Sequence, residues 1–566
     1  MPYHATLNVE SAVHRCTVCS KLFSSNSHLR RHEAAHVQTR KNACAYCGRT
    51  FVRHDVLRRH SKACPQRGEH DAIASAQPGR PSKKQRLARC GSTRLDQQHE
   101  VMPMTFLLQY TNPHRESVVP AFTIPGAHAP PAELEGDLHA NVDGMAGDTT
   151  VLFGMFSDLF METVADLNAS RPTTNGPSHV SLLQKRIDEL REQLQKYNQR
   201  HHGSDPIPKE TFPVHTATAV FTATNFDDCI WSYFTIFHPQ HPFIHWPTFD
   251  VYTVSLPLLL AVAFAGSVHC IPRDAALSTR SFFDIAEDFI FERLRTEAVN
   301  KSSQKTGALE IAQAAVLIIG LQISFNDEAT RRRIRISRHP ELVASIRSLG
   351  LTSTVQTCEL NTDEWEAFIA EESRVRTIHI LFLMDYMSTF FFNTLPQMAM
   401  SEPKQRLPCP DSLFEASTSD EFAILNATAS HSRLESLNIK ALVELLMGDK
   451  WLGADDSSLI SLQPRHLMMC IFALHSVIFT SRAALLLPLS YHLLHRALNR
   501  WKQLWDARYT EQSGTIGFTK YCVEIWCVTS KVLDMLQFSE GNSKYLEANP
   551  TDSLGELHEF IRKFCT

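Results

Sequence analysis

Long apolar-periodic segments with few glycines fill the chain from about residue 216 onward. Stretches such as 309–325 and 374–393 have the length and aliphatic density of core helices, with little of the alternation typical of strands. The pattern predicts a large all-α body over residues 216–566.

Two apolar runs within this region could be either membrane spans or buried helices. The run 256–266 is too short to cross a bilayer, which takes roughly 20 apolar residues. The run 466–489 is interrupted by His475, Arg482 and Pro488. Both are interpreted as buried helices of the body, and no membrane partner is expected.

Residues 96–215 lack sustained periodicity and gain Pro, Gly, His, Asn and Thr, which predicts a mostly disordered linker with two short helices. The first helix is predicted near 148–167. Its apolar residues share one helical face, with acids beside them: Phe153, Phe156, Phe160 and Val164, and Asp158, Glu162 and Asp166. This pattern is typical of an activation segment that folds into a coactivator groove. Docking onto the protein's own C-terminal body explains it equally well.

The second helix is predicted near 181–199. Its apolar residues step by four and three positions: Leu183, Ile187, Leu190, Leu194 and Tyr197. They would form the a and d seam of a coiled coil, but the seam covers under three heptads and is short for a stable one. A homodimer through this seam and a helix that stays single are both open.

Residues 14–36 carry the spacing of a small metal-binding module. The potential ligands are Cys16, Cys19, His32 and His36. The cysteines sit on a tight turn and the histidines lie one helical turn apart, so the four can complete a tetrahedral zinc shell. Phe23 and Leu29 supply an apolar core too small to fold alone, so metal binding provides the folding energy. The segment predicts a ββα zinc finger.

The same frame recurs 28 residues later, in residues 42–64. Its potential ligands are Cys44, Cys47, His60 and Cys64. Cys64 stands where a second histidine would be, but thiolate is at least as good a zinc donor as imidazole. The alternatives are a decayed finger, against which the intact Phe51 and Leu57 argue, and a second metal site that does not touch DNA. Two Zn²⁺ ions, one per finger, are predicted.

Both segments resemble the two-cysteine, two-histidine zinc-finger family. In that family, helix positions −1, 3 and 6 read three successive bases of double-stranded DNA, and the first zinc histidine occupies position 7. Counting back from His32 and His60, with Asp55 at position 2, the resemblance assigns these DNA contacts: Ser25, His28, Arg31, Arg53, Asp55, Val56 and Arg59.

These residue types imply a G-rich site. Arginine donates two hydrogen bonds to guanine O6 and N7, and each such pair discriminates by roughly 1–3 kcal/mol. Asp55 is placed to hold Arg53 straight, and His28 can donate to guanine N7. With antiparallel docking, the second finger takes the 5′ triplet, so the predicted core is 5′-GNGGGN-3′.

Charge is divided unevenly along the chain. Residues 1–95 hold 18 Lys and Arg against five Asp and Glu, whereas the whole chain has a net charge of −4. A basic arm on an acidic body favours a polyanionic partner such as nucleic acid. Within the basic flank 65–95, "GRPSKKQRLAR" (79–89) is typical of a nuclear import signal, with a solvated charge run as the alternative. The predicted location is the nucleus.

Four segments of the body occur in a characteristic order: "YFTIFHPQHPFIHWPTF" (233–249), "LPLLLAVAFAGSVHC" (256–270), "HPELVASIRSLGL" (339–351) and "ESRVRTIHILFLMDYMSTFFFNTLPQM" (372–398). Over roughly 225–500 the sequence resembles the fungal-specific transcription factor domain, also called the middle homology region. The resemblance implies an all-helical regulatory domain, found in regulators of fungal metabolism, with no enzymatic role of its own.

A few residues of the body could suggest a metal site or a catalytic site. His238, His241 and His245 in "FHPQHPFIH" look like a metal cluster, but the prolines between them spoil helical presentation, so they are predicted to be packing residues. Asp385 is predicted to pair with an arginine. The sequence shows neither a nucleophile elbow nor a phosphate-binding glycine loop.

The combined prediction is small ββα fingers, a disordered linker and an all-α regulatory domain in a sequence-specific transcription factor. It would regulate RNA polymerase II transcription of metabolic genes, with the transcription machinery or coactivators as partners. The alternative is a finger-tethered ligand sensor or enzyme whose helical body binds a metabolite.

Overall fold

The computed structural model describes residues 14–15, 22–23, 42–43, 50–51, 103–115, 117–118, 177–201, 212–270, 279–300, 305–325, 327–352, 365–428, 437–456, 459–509, 517–538 and 542–566. The chain divides into two compact units, Met1–His99 and Glu100–Thr566. The basic flank 65–95 and the predicted helix at 148–167 lie outside the described residues.

Four two-residue strands of the first unit form two antiparallel hairpins. Strand β1 (His14–Arg15) pairs with β2 (Leu22–Phe23), and β3 (Asn42–Ala43) pairs with β4 (Thr50–Phe51). These hairpins begin the two segments for which the sequence predicts zinc fingers.

The second unit is helical, as the apolar periodicity predicts. Its α-helices are α1 (Thr105–Tyr110), α2 (Pro177–His201), α3 (Val214–Val220), α4 (Ala223–Ser232), α5 (Leu256–Ser267), α6 (Phe283–Asn300), α7 (Lys305–Ile323), α8 (Glu328–Arg333), α9 (His339–Ser348), α10 (Trp365–Phe392), α11 (Asp411–Phe414), α12 (Ser419–Thr428), α13 (Ile439–Met447), α14 (Pro464–Ala483), α15 (Leu487–Arg508), α16 (Cys522–Phe538) and α17 (Gly555–Phe564). Short π-helices (Tyr233–Phe237 and Ile334–Arg338) and 3₁₀ turns (His238–Gln240, Gly517–Tyr521 and Lys544–Glu547) connect some of them.

Helix α5 lies in the centre of the N-terminal half, which explains its unbroken apolar sequence. Every residue of the helix except Pro257 is buried. It packs against α4, α6 and α7. Gly266 permits the close crossing with α4, because a Cβ at this position would lie 1.8 Å from the carbonyl oxygen of Cys229.

Helices α10 and α14 organise the C-terminal half. Helix α10 contacts α7 as well as α14, so it links the two halves of the unit. Helix α14 also packs against α13, α15 and α16. By length and composition alone α14 could cross a membrane. However, its stretch 466–476 is buried throughout, as expected for the core helix predicted from the run 466–489.

Residues 103–118, here called the strap, pack on the second unit although the sequence places them in a disordered linker. The strap contains α1, which contacts α16 and α17. Phe106 and Leu107 are buried, and the ring of Phe106 stacks on Tyr521 at 3.8 Å between centroids. Glu524 accepts hydrogen bonds from the backbone nitrogens of both residues, at 3.2 Å and 2.8 Å. The helical unit therefore extends N-terminal of residue 216.

Helix α2, predicted near 181–199, also belongs to this unit. Its apolar seam is buried against α4, α5 and α6: Leu183, Ile187, Leu190, Leu194 and Tyr197. The seam faces the core of its own chain, so these side chains are not available for a coiled coil with a second copy. Because a four-three apolar step fits an intramolecular groove as well as a dimer seam, the sequence alone does not distinguish them.

Candidate nucleic-acid interface

The two hairpins of the first unit share one frame. His14 lies opposite Phe23, and Asn42 lies opposite Phe51. Each pair of partners is displaced by 28 residues from its counterpart, which equals the period of the cysteine and histidine spacing in the sequence. The second segment therefore repeats the first in strand position and pairing register as well as in ligand spacing.

Each hairpin surrounds a cysteine pair in the chain. Arg15 pairs with Leu22, and Cys16 and Cys19 occur in the connection between them. Ala43 pairs with Thr50 in the same way, with Cys44 and Cys47 between them. A hairpin whose turn carries Cys-x₂-Cys presents two thiolates close together, as a structural zinc site requires.

The predicted site residues themselves lie outside the described residues. These are the eight metal ligands Cys16, Cys19, His32, His36, Cys44, Cys47, His60 and Cys64, and the seven DNA contacts Ser25, His28, Arg31, Arg53, Asp55, Val56 and Arg59. Their donor chemistry fits zinc, with two sulfurs and two nitrogens in the first set and three sulfurs and one nitrogen in the second.

The histidines of "FHPQHPFIH" in the second unit are directed to different partners. The Nε2 atom of His238 lies 2.8 Å from Oε1 of Glu415, and Nδ1 of His245 lies 2.8 Å from Oγ1 of Thr248. Burial, with Arg465 nearby, lowers the pKa of His241 to about 3, so this ring is neutral. Within the described residues, no cluster of three or more metal-binding side chains occurs.

Asp385 is held by a histidine and two backbone amides. It accepts a hydrogen bond from Nε2 of His339 at 2.9 Å and from the backbone nitrogens of Gln397 and Met398 at 3.0 and 2.8 Å. The predicted arginine partner is wrong. The carboxylate accepts from two backbone N–H groups of the loop after α10, so its role is to hold that loop in place.

An arginine does occupy the centre of the body, about two and a half turns of α10 earlier. Arg376 is buried, and its Nε atom donates to Oε1 of Glu372 at 2.8 Å. Its other nitrogens donate to Asp411 and to the carbonyl oxygens of Pro242 and Cys409. The guanidinium also lies 4.2 Å from the ring centroid of Phe414.

Glu372 is the acid that balances this cluster. It is fully buried and pairs with Arg406 at 2.8 Å as well as with Arg376. Burial alone would raise the pKa of Glu372, but the two arginines outweigh burial and hold it below its ordinary value. The cluster therefore joins α10 to the proline-rich loop 239–242 and to the loop before α11 as a fixed ion-pair network.

A second arginine-rich segment, residues 331–338, also forms internal contacts. Arg333 and Arg338 both donate to Glu287 of α6, at 2.8 Å in each case. Arg332 and Arg335 donate to Asp552 near the C-terminus. These contacts cross between elements far apart in sequence, so this basic run joins parts of the body rather than forming a basic nucleic-acid surface.

A small cavity lies beside the Arg376 cluster. Its volume is about 30 Å³, and it is lined by Met468 and Met469 together with three histidines: His241, His379 and His466. Nδ1 of His379 lies 2.8 Å from the carbonyl oxygen of Val375, and Nε2 of this ring has no partner among the described atoms. One or two water molecules fit this space.

Two segments of the chain match known protein families. Residues 14–36 match the C2H2-type zinc-finger family, and residues 230–503 match the fungal-specific transcription factor domain. The chain carries a C2H2 zinc finger and a fungal-specific transcription factor domain. The finger implies Zn²⁺ binding, and the larger match is, by its description, a transcription factor domain.

Two curated fungal proteins are similar to much of the chain. Transcription factor verF of Penicillium polonicum is 24% identical over 381 residues, which cover 61% of this chain and 51% of that protein. Zinc finger protein zas1 of Schizosaccharomyces pombe is 26% identical over 298 residues, which cover 50% of this chain and 31% of that protein. The chain thus spans about half the length of the first and a third of the second. No solved structure matches.

Proposed function

We propose that this protein is a sequence-specific DNA-binding regulator of RNA polymerase II transcription that acts in the nucleus on metabolic genes. The observation that carries the proposal is the repetition of one hairpin frame at a 28-residue interval, each hairpin surrounding a Cys-x₂-Cys pair. The fungal-specific transcription factor domain in the same chain supports a regulatory outcome of DNA binding.

In this proposal each of the two segments, residues 14–36 and residues 42–64, binds one Zn²⁺ ion. The family match covers only residues 14–36, but the identical register of the second hairpin supports a second finger over residues 42–64. Bound zinc supplies the structural cross-link that each small unit needs to fold. Within the second finger, His60 and Cys64 are the ligands contributed by the helix and its end.

The fingers then read the core 5′-GNGGGN-3′ by direct contact. Arg59 and Arg53 select the two guanines of the first triplet, and Arg31 with His28 selects those of the second. Arg30 and Arg58 contact phosphates, and so contribute affinity rather than specificity. The acidic remainder of the chain recruits or restrains the transcription machinery.

Selection of bound sequences from a random DNA pool tests this proposal. The expected result is enrichment of the GNGGGN core by the full chain in the presence of zinc. Enrichment of A/T-rich sites, or of no sequence at all, would contradict it. Zinc content, measured by mass spectrometry of the native protein, should be two ions per chain.

Neighbouring arginines provide a matched control. Arg59→Ala should relax specificity at the first guanine of the core by roughly 1–3 kcal/mol. Arg58→Ala should instead weaken binding to all sequences similarly and reduce the salt dependence. Equal behaviour of the two variants would contradict the assigned helix register.

A further inference from the structure

A ridge of exposed leucines stands at the corner between α14 and α15. We call it the leucine ridge: Leu485, Leu486, Leu489 and Leu493. Leu485 and Leu489 are 86% and 81% exposed. Leu486, Leu489 and Leu493 follow one another at steps of three and four residues, so they lie along one face at the start of α15. Soluble proteins rarely leave such a contiguous apolar surface uncovered without a partner.

The backbone at the corner argues that the leucines are not incidental. Helix α14 ends with the backbone nitrogens of Leu485 and Leu486 donating to the carbonyl oxygens of Arg482 and Ser481. This is the helix-ending motif in which a glycine usually takes the left-handed position. Here Leu485 takes it, with φ of 59°. A left-handed leucine costs about 1–2 kcal/mol relative to the right-handed form, so the fold retains a strained and solvent-facing apolar side chain.

A cation, Arg482, lies at the end of α14 beside the ridge. Burial lowers the pKa of Arg482, and this side chain has no acidic partner in the part of the chain that the structure describes. His492 and His495 are also exposed on α15. An occupant of the ridge should therefore present an apolar stripe flanked by acids.

Residues 148–167 have these properties. Phe153, Phe156, Phe160 and Val164 recur at steps of three and four, and the segment has acids but neither lysine nor arginine. The segment lies outside the described residues and is tethered at both sides, through Val118 of the strap and Pro177 of α2. Tethering gives it an effective concentration of about a millimolar at the body's surface, well above that of a free partner.

We propose that residues 148–167 dock as an amphipathic helix on the leucine ridge of the same chain. The phenylalanines cover Leu485, Leu489 and Leu493, and Asp158 or Glu162 reaches Arg482. In this position the segment does not present its apolar face to a coactivator. Docking therefore restrains the activity of the regulator, a consequence that rests on the proposed function, whereas the docking itself does not.

Hydrogen–deuterium exchange of the purified full chain tests the docking. In the wild type, amides of residues 148–167 should exchange at least about tenfold more slowly than in the double variant Leu489→Asp/Leu493→Asp. Val299→Asp is the matched control, because Val299 is 78% exposed on α6, and it should leave the protection intact. In the reverse direction, Phe156→Asp/Phe160→Asp should increase hydroxyl-radical labelling of Leu485 and Leu489.

Leu485→Gly separates docking from stability. Glycine suits the left-handed position, so the variant should keep or raise the thermal stability of the body while it weakens the protection of residues 148–167. Reduced stability together with unchanged protection would overturn the role given to Leu485.

Three further outcomes would overturn the proposal. Fast exchange of residues 148–167 in the wild type would assign the ridge to an outside partner. Protection that disappears on dilution, with a dimer in sedimentation, would assign it to a second copy. Equal protection in the wild type and in Leu489→Asp/Leu493→Asp would place the segment elsewhere. Loss of DNA binding would refute the proposed function but leave these readouts unaffected.

Discussion

Residues 14–64 and residues 100–566 obtain their folded states from different sources. Each described hairpin of the first region has strands of two residues, far too little structure to exclude water from a core. The second region buries a contiguous apolar core and places charged side chains such as Arg376 and Glu372 inside it. We therefore propose that the first region depends on bound zinc, whereas the second is held by its own side chains.

The two regions are therefore vulnerable to different changes. A metal-dependent fold is lost with one ligand but tolerates change elsewhere on its surface. A large core tolerates single surface changes, but its buried charges need all of their partners. Removal of metal should therefore unfold the first region alone, and loss of a buried charge partner should destabilise the second region alone.

Zinc removal should have the largest effect. Structural zinc contributes about 10–16 kcal/mol to the folding of small fingers, so chelation should abolish specific DNA binding. The thermal transition of the helical body, followed by circular dichroism at 222 nm, should not change. A body that melts at a lower temperature after chelation would mean that metal also holds the second region.

A pair of substitutions sharpens this prediction at one ligand. Cys64→Ala should remove one zinc ion per chain and the binding of the GNGGGN core, whereas Cys64→His should largely preserve both. Zinc content and DNA affinity are the measurements. Full zinc content in Cys64→Ala would show that the second finger closes its site with another donor.

Breaking the buried ion network should affect only the body. Glu372→Gln leaves Arg376 and Arg406 without their shared acid, which should cost about 3–5 kcal/mol in the free energy of unfolding. Glu444→Gln is the control, because Glu444 forms an exposed pair with Lys440 at 3.5 Å and should contribute less than about 1 kcal/mol. Urea denaturation measures both, and equal values would refute the network's role.

Much of this contrast could be predicted from the sequence, because the patterns that indicate it are local in the chain. The helices around 309–325 and 374–393 and the spacing of the cysteine pairs are local patterns that repeat within one or two turns. The strap gave no such signal, because α1 has six residues and cannot show a helical period. Its position depends on Glu524, more than 400 residues away.

Other contacts could not be predicted because they also join residues that are far apart in the sequence. The partner of Asp385 is His339, 46 residues away, and nothing local indicates that pair. The seam of α2 has the spacing of a dimer interface, yet Leu190 and Leu194 face their own core. The packing role predicted for His238 and His245 agrees with their burial. The partner of His238, Glu415, is 177 residues away, so no local pattern indicates this pair.

Acid should destabilise the body through its buried histidines. Burial lowers the pKa of His379 to about 4 and those of His466 and His475 to about 3, whereas an unfolded histidine titrates near 6.5. Their contribution to stability is complete above pH 6.5 and is lost as the pH falls toward the folded values. At pH 5.5 each should cost about 1.4 kcal/mol relative to neutral pH.

Urea denaturation at pH 7.5 and 5.5 measures this loss. His475→Gln should reduce the difference between the two pH values by about 1.4 kcal/mol, because one buried imidazole no longer titrates. His492→Gln should not change it, since His492 is exposed. Equal pH dependence in the wild type and in His475→Gln would mean that this ring is protonated inside the folded body.

The strap should respond to pH in the opposite direction, and this response should be confined to the docking of one short segment. Burial raises the pKa of Glu524 to about 7, although the backbone nitrogens of Phe106 and Leu107 partly oppose this. A raised pKa means that the docked strap is favoured at low pH, and its contribution is lost as the pH rises from about 4.5 to 7. Glu524→Gln removes the titration, so strap docking should no longer weaken over this range.

The expected gain in strap docking above pH 7 is on the order of 1–3 kcal/mol, reduced by the weaker acceptor that an amide offers. Exchange rates of the amides in residues 105–111 at pH 5 and 7, corrected for intrinsic exchange, measure it. Unchanged pH dependence in Glu524→Gln would show that the strap is held by the stacking of Phe106 on Tyr521 and not by the charge state of this carboxyl group.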